Sequence, residues 1–265
     1  MTAASPFTFV PPTADATASP LQRGVVAHRR REPDILRVDG LHKSFSSGKG
    51  GALVAALWDV ELRATRHEIV GLCGGAASGK TTLLRCISGL MRPDSGSVFW
   101  FGSRFHGGGC LPGLSFVPQA PDYYPFLTAR DALEYHVDDD GAPPAARRCA
   151  IADALRSVGL GDEVDTPVRE LDKSQVAALS IAEALASSPR AIVIDGTLDA
   201  IDAQALTPIR NALAAFSLGG GTTLVASRNL DVLAGLAARV LRLESGRIAI
   251  ESDATPSRLV AERRH

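Results

Sequence analysis

The chain has 265 residues, 45% of them hydrophobic, enough to bury a core in one large domain or two small ones. Its 28 basic and 29 acidic side chains leave a net charge of −1, so no global field draws it to nucleic acid or to an anionic membrane. The longest uncharged apolar runs, such as "GALVAALW" (51–58), fall far short of the roughly 18 residues a membrane span requires.

Residues 1–33 are rich in Ala, Thr and Pro and show no apolar period, which predicts a disordered tail. Its Arg29, Arg30 and Arg31 read as a solvated cluster, with a lipid- or partner-binding patch as the alternative. The opening "MTAASPFTF" lacks a basic segment followed by an apolar core, and Cys73, Cys86, Cys110 and Cys149 form no C-x-x-C pair and have no histidines at zinc-like spacing. A reduced, cytoplasmic protein with structural thiols is expected; a reactive cysteine is the open alternative.

Folded structure is expected from "ILRVDGLHKSF" onward. Short β-rich runs then alternate with helical patterns, which points to an α/β domain. "EIVGLCG" (68–74) reads as a buried strand and "KTTLLRCISGL" (80–90) as a helix with apolar residues three and four apart. "SVFWFG" and "LSFVPQ" are further strands. A largely helical stretch follows, about 128–188, interrupted by "DDDGAPPAA". "RAIVID", "TTLVAS" and a hairpin in "RVLRLESGRIAIE", turning at Ser245 and Gly246, return to strands. No solenoid-length repeat is present.

The most specific chemistry is "GGAASGKTT": Gly74, Gly75, Ala76, Ala77, Ser78, Gly79, Lys80, Thr81 and Thr82 fit G-x-x-x-x-G-K-[ST] between a predicted strand and a predicted helix. A triphosphate needs inward-facing backbone N–H groups, a helix amino end, a lysine for its outer phosphates and a hydroxyl for Mg²⁺. Each has a candidate here. The alternative is an ordinary strand-to-helix turn with a solvated Lys80. Should the backbone at Ala77 require positive φ, alanine costs on the order of 1–2 kcal/mol and weakens binding. Asp195 ends "AIVID", expected beside the cradle strand, where its carboxylate would reach Mg²⁺ through a water.

The order of motifs resembles the ATP-binding subunits of ABC transporters over residues 34–252. The resemblance rests on the phosphate loop and on "LSFVPQAPDYYPFLTARDAL", which looks like the family's glutamine loop and puts Gln119 in the glutamine's place. It implies a P-loop NTPase core, a mostly parallel sheet flanked by helices with an antiparallel β part, and an inserted α-helical subdomain at about 120–188, with a C-terminal tail at 253–265. Phe45 in "HKSF" matches the aromatic that stacks on adenine; a buried strand residue is the other reading. Thr81, Gln119 and Asp195 match the family's Mg²⁺ residues. Asp202 in "DAID" keeps the aspartate of the dimer-contact loop, and "SSGKGGALVAAL" before "WDVEL" resembles a longer loop of several branches.

The departures from the family pattern are as informative. Where it carries L-S-G-G-Q, which reaches across a dimer to the partner's γ-phosphate, this chain has Leu171, Asp172, Lys173, Ser174 and Gln175. A carboxylate at Asp172 opposes a polyphosphate, although Lys173 offsets part of the repulsion. Gly196 stands at the position of the glutamate that polarises the attacking water, a function worth about 10²–10⁴ in rate. Arg228 stands at the switch histidine; it can contact a phosphate but cannot exchange protons. Glu183 replaces a common arginine.

No catalytic position is therefore intact. The sequence predicts a subunit that binds ATP with Mg²⁺ and hydrolyses it weakly or not at all. The resemblance implies a regulatory or structural role on the cytoplasmic, inner face of the cell membrane. Its expected partners are membrane-spanning subunits and a second ATP-binding subunit, identical or a sister, with no nucleic acid. Two alternatives stay open: a working transport ATPase with Asp199 or a water network as base, and an interaction module with a relic P-loop.

Overall fold

A computed structural model describes residues 34–46, 53–109, 111–136 and 143–253. The expected tail 1–33 with its arginine cluster, Cys110, residues 138–142 of the acidic break and residues 254–265 lie outside the described residues.

Two sheets carry the fold. Strands β1 (Asp34–Ser46), β2 (Leu53–Thr65), β4 (Ser95–Trp100) and β5 (Ser103–Phe105) form an antiparallel sheet in the order β2-β1-β4-β5. Strands β3 (Ile69–Cys73), β6 (Leu114–Val117), β7 (Ala191–Asp195), β8 (Thr222–Ser227), β9 (Arg239–Glu244) and β10 (Arg247–Asp253) form the second, in the order β10-β9-β3-β8-β7-β6. The second sheet is parallel except for β10, which returns from β9 through Ser245 and Gly246. Both turn residues have positive φ, 46° and 77°, as a tight two-residue hairpin requires. The P-loop NTPase architecture with an antiparallel part is thus as the resemblance implied.

Alternation along the parallel strands assigns the two faces. Val70, Leu72, Ala191, Val193, Leu224, Ala226, Leu241 and Leu243 pack toward the antiparallel sheet and helix α1 (Lys80–Ile87). Their neighbours Ile69, Ile192, Ile194, Val225 and Val240 pack toward α4 (Lys173–Ala186), α5 (Leu206–Leu218) and α6 (Leu230–Ala234). Helices α2 (Ala129–His136) and α3 (Pro144–Ser157) pack with α4 in the expected helical stretch. Trp100, the largest fully buried side chain, donates its indole N–H to Ile87 O at 2.7 Å and so ties β4 to the end of α1.

Two expectations are corrected. Residues 53–57 of the supposed loop belong to β2, paired with β1 through several register shifts. Their long-range partner, not their local sequence, makes them a strand. And β7 does not lie beside β3, because β8 runs between them. Asp195 still reaches the phosphate loop's helix: it continues the face of Ala191 and Val193, the face that α1 covers.

Candidate nucleotide site

Strand β3 delivers the phosphate loop, residues 74–79, to the amino end of α1. The loop is wedged between β2 and the β9–β10 hairpin. A β-carbon at Gly74 would lie 2.3 Å from Leu243 O, and one at Gly79 would lie 2.4 Å from Ala56 O, so neither position has room for a side chain. Gly246 N–H donates to Ser78 O at 3.0 Å and Trp58 N–H to Gly246 O at 2.8 Å, which fixes the loop from the hairpin side. Ala77 sits at φ 59°, in the left-handed region that costs alanine on the order of 1–2 kcal/mol.

Lys80 Nζ lies over the loop, donating to Gly74 O at 2.7 Å, Gly75 O at 2.9 Å and Ser78 Oγ at 3.1 Å. Burial lowers its pKa, and the nearby Arg228 guanidinium lowers it further. Thr81 Oγ1 donates to Asp195 Oδ1 at 2.9 Å. Asp195 is 4% exposed, and burial raises its pKa against the opposing pull of the Thr81 hydroxyl and of Arg85 and Lys80. A buried carboxylate beside a hydroxyl is a hard-oxygen pair suited to Mg²⁺, whose charge would offset the desolvation that disfavours the ionised form.

These groups line a cavity of about 400 Å³ with Phe45, Val54, Ala55, Ala56, Gln119, Gly196, Asp199 and Arg228. The structure therefore brings Phe45, the loop from Gly75 through Thr82, Gln119, Asp195 and Arg228 together. Phe45 is 42% exposed, which answers the buried-strand alternative. Gln119 lies against Gly196: a β-carbon there would sit 3.5 Å from its Cγ. Gly196 is in the left-handed region at φ 70° and opens the turn Thr197–Ala200.

The segment 171–175 is not part of that cavity's lining. Asp172 is the N-cap of α4 and makes a full capping box. Its Oδ1 accepts from Gln175 N–H at 2.8 Å, and Gln175 Oε1 accepts from Asp172 N–H at 3.0 Å. Leu171 is buried, Lys173 exposed, and the buried Ser174 accepts from Asp202 N–H at 3.1 Å. The segment read as a signature and the loop read as a dimer contact are thus hydrogen-bonded to each other.

Two connections escaped sequence reasoning. Asp199, read only as an alternative base, accepts from the Ser227 hydroxyl at 2.5 Å and from Arg228 N–H at 3.2 Å, and its Oδ2 lies 3.6 Å from Arg228 Nε. Glu183 accepts from the Tyr123 hydroxyl at 2.5 Å, which joins α4 to the segment after Gln119; burial and the Glu183 charge push the phenol pKa well up. The simultaneous presence of an acid at 199 and an arginine at 228 was the available signal for the first. Of the cysteines, Cys73 and Cys86 are buried and Cys149 is exposed. Burial pushes the Cys86 thiol up to about 11, in keeping with a structural role.

The fold and its loop define a P-loop NTPase of the ATP-binding cassette type. The cassette MJ0796, solved as a dimer in a post-hydrolysis state with ADP and Pi, matches with a TM-score of 0.74 at 23% identity, over 83% of this chain and 98% of that one. A nucleotide-free cassette from an ABC transporter matches with 0.74 at 20% identity, over 86% and 96%. Residues 57–198 match the family model described as ABC transporter, and the chain belongs to that family. The methionine import ATP-binding protein MetN of Nocardia farcinica is 31% identical over 216 residues, 78% of this chain and 63% of that protein. The macrolide export ATP-binding/permease protein MacB of Nitrosomonas europaea is 29% identical over 234 residues, 85% of this chain and 35% of that protein. The chain thus spans less than two thirds of the length of these relatives. Among the described residues no helix is long and apolar enough to cross a membrane.

Proposed function

We propose that this chain is a transporter subunit that binds Mg²⁺-ATP but hydrolyses it weakly or not at all. Thr81 and Asp195 would hold the metal, which would neutralise phosphate charge; Phe45 would stack on the base, and Lys80 with the loop amides would hold the phosphates. One observation carries the reading. The cavity's described lining contains two carboxylates: Asp195, bonded to Thr81, and Asp199, bonded to Ser227 and paired with Arg228. Position 196 offers only a glycine backbone in the left-handed region, so the residue that follows Asp195 supplies no carboxylate to polarise a water, and Asp199 stays bonded to the Ser227 hydroxyl whether or not Arg228 is paired with it.

The cassette would work as a dimer with itself or a sister subunit, and the dimeric state of MJ0796 supports this. Its membrane-spanning partners would dock on the exposed aromatic group of Tyr124, Phe126 and Tyr135, whose rings lie 5.6 and 5.8 Å apart around Tyr124. It would then sit peripherally on the cytoplasmic face, in a regulatory or structural role. The relatives' names include both import and export, so they support transport and not a direction.

Thermal melting with Mg²⁺-ATP tests the binding half. Ligand at 100 times Kd adds about 2.7 kcal/mol to native stability. The shift is expected in the wild type and lost in Lys80→Ala. No shift at millimolar ATP would leave the relic-loop reading standing.

A further inference from the structure

We propose that Asp199 is a positioning residue that holds Arg228 away from the terminal phosphate, so that the pair acts as a latch which a nucleoside triphosphate opens and a diphosphate leaves closed. The inference rests on the nucleotide-binding reading above.

The latch is built from both ends. Asp199 lies in the turn after β7, and its carboxylate is held by the Ser227 hydroxyl at 2.5 Å on one oxygen and by Arg228 N–H at 3.2 Å on the other. That second oxygen also faces Arg228 Nε, at 3.6 Å. Ser227 is itself fixed: with its proton given to Asp199, its Oγ accepts from Asn229 N–H at 2.9 Å. The Asp199 side chain is 16% exposed and anchored, whereas that of Arg228 is 61% exposed and is held at its charged end by the ion pair alone among the described contacts. Arg228 is therefore the mobile member.

Position decides what moves it. Asp199 and Arg228 line both the phosphate-loop cavity and a neighbouring hollow of about 510 Å³ formed with Leu198, Ile201 and Leu230. The guanidinium also lies close enough to Lys80 to act on its charge. Two cations beside one loop, with one of them paired to a fixed carboxylate, make a site in which an added terminal phosphate competes directly with Asp199. A diphosphate ends short of that contest. An ion pair this exposed is weak, so the competition is close to balanced and responds to one extra phosphate.

Equilibrium binding of ADP and of an ATP analogue with a β,γ-imido bridge, both with Mg²⁺, tests the latch in a double-mutant cycle. Asp199→Asn keeps the shape of the side chain and its hydrogen-bond capacity toward Ser227 but removes the charge. It is expected to raise the ratio of triphosphate to diphosphate affinity about two- to fivefold, the range of an exposed pair. Arg228→Ala is expected to lower triphosphate affinity about tenfold, a charge-assisted hydrogen bond at the weak end, and to change ADP affinity less than twofold. Arg228→Lys should restore part of the ratio. In the Arg228→Ala background, Asp199→Asn should no longer change it.

A ratio unmoved by Asp199→Asn overturns the latch. So does a rise that persists without Arg228, because it would report direct repulsion between Asp199 and the phosphate. In either case intact, Lys80-dependent binding of both nucleotides would leave the nucleotide-binding reading in place. If the wild type binds neither nucleotide, that reading falls and the latch falls with it.

Discussion

Replacing Asp172 separates two roles that one carboxylate has been given: an anion facing a polyphosphate, and the cap of its own helix. In the structure it caps α4, accepting from Gln175 N–H at 2.8 Å while the Gln175 side chain returns a bond to Asp172 N–H at 3.0 Å. Alanine at an N-cap costs about 1 kcal/mol, and loss of a negative charge at the helix amino end adds about 0.3–1 kcal/mol. In a domain of this size about 1 kcal/mol moves the melting temperature by about 2–4 °C. Asp172→Ala is therefore expected to melt about 3–8 °C below wild type, read by thermal unfolding without nucleotide. Asp172→Ser removes the charge but keeps an oxygen that can cap, so it should melt about 1–4 °C below wild type and above the alanine variant. An alanine variant as stable as wild type would refute the capping argument, and so would a serine variant as weak as the alanine one.

Ala77→Gly relieves a left-handed alanine at φ 59°, worth about 1–2 kcal/mol, against about 0.4–1 kcal/mol of added chain entropy when unfolded; a melting temperature raised by a few degrees is expected, and a fall would contradict the backbone assignment. Asp195 has a raised folded-state pKa, so the folded state holds its proton more tightly than the unfolded state. Its contribution is favourable at acid pH and is lost as pH rises from the ordinary carboxylate range through the folded pKa. Asp195→Asn should thus melt higher than wild type at neutral pH, with the gap closing in acid, while the Mg²⁺-dependent part of the ATP shift disappears. Gly196→Glu places a side chain at φ 70° and should cost about 1 kcal/mol in stability. Combined with Arg228→His and Asp172→Ser it should raise phosphate release about a hundredfold, the low side of general-base assistance; no rise in a variant that still binds ATP would show that the missing groups are not what limits turnover.

Local signals were enough where the chemistry is local. The loop from Gly74 to Thr82 carries its own residue types, and β3, β7, β8 and the β9–β10 hairpin are apolar or turn-marked runs bounded in sequence. Long-range pairing was not legible. "LVAAL" reads as loop or apolar run until β1 pairs with it, and β8 enters between β3 and β7 only once α5 has carried the chain across the sheet. Asp195 reached Thr81 despite that mistaken neighbour, because alternation along β7 fixes which face it shares with α1. At the site, Phe45, Gln119 and Arg228 were found by resemblance and do line one cavity. The contacts of Asp199 with Ser227, and of Tyr123 with Glu183, span 28 and 60 residues and have no local signature.

The central claim is that the pocket beside Lys80 holds Mg²⁺-ATP without the groups needed to cleave it. Steady-state phosphate release by the purified chain at saturating Mg²⁺-ATP, compared with Lys80→Ala, tests this most directly. The account predicts release by the wild type close to that of the variant, in samples where the wild type alone shows an ATP-dependent rise in melting temperature. Sustained, rapid release that Lys80→Ala abolishes would contradict it.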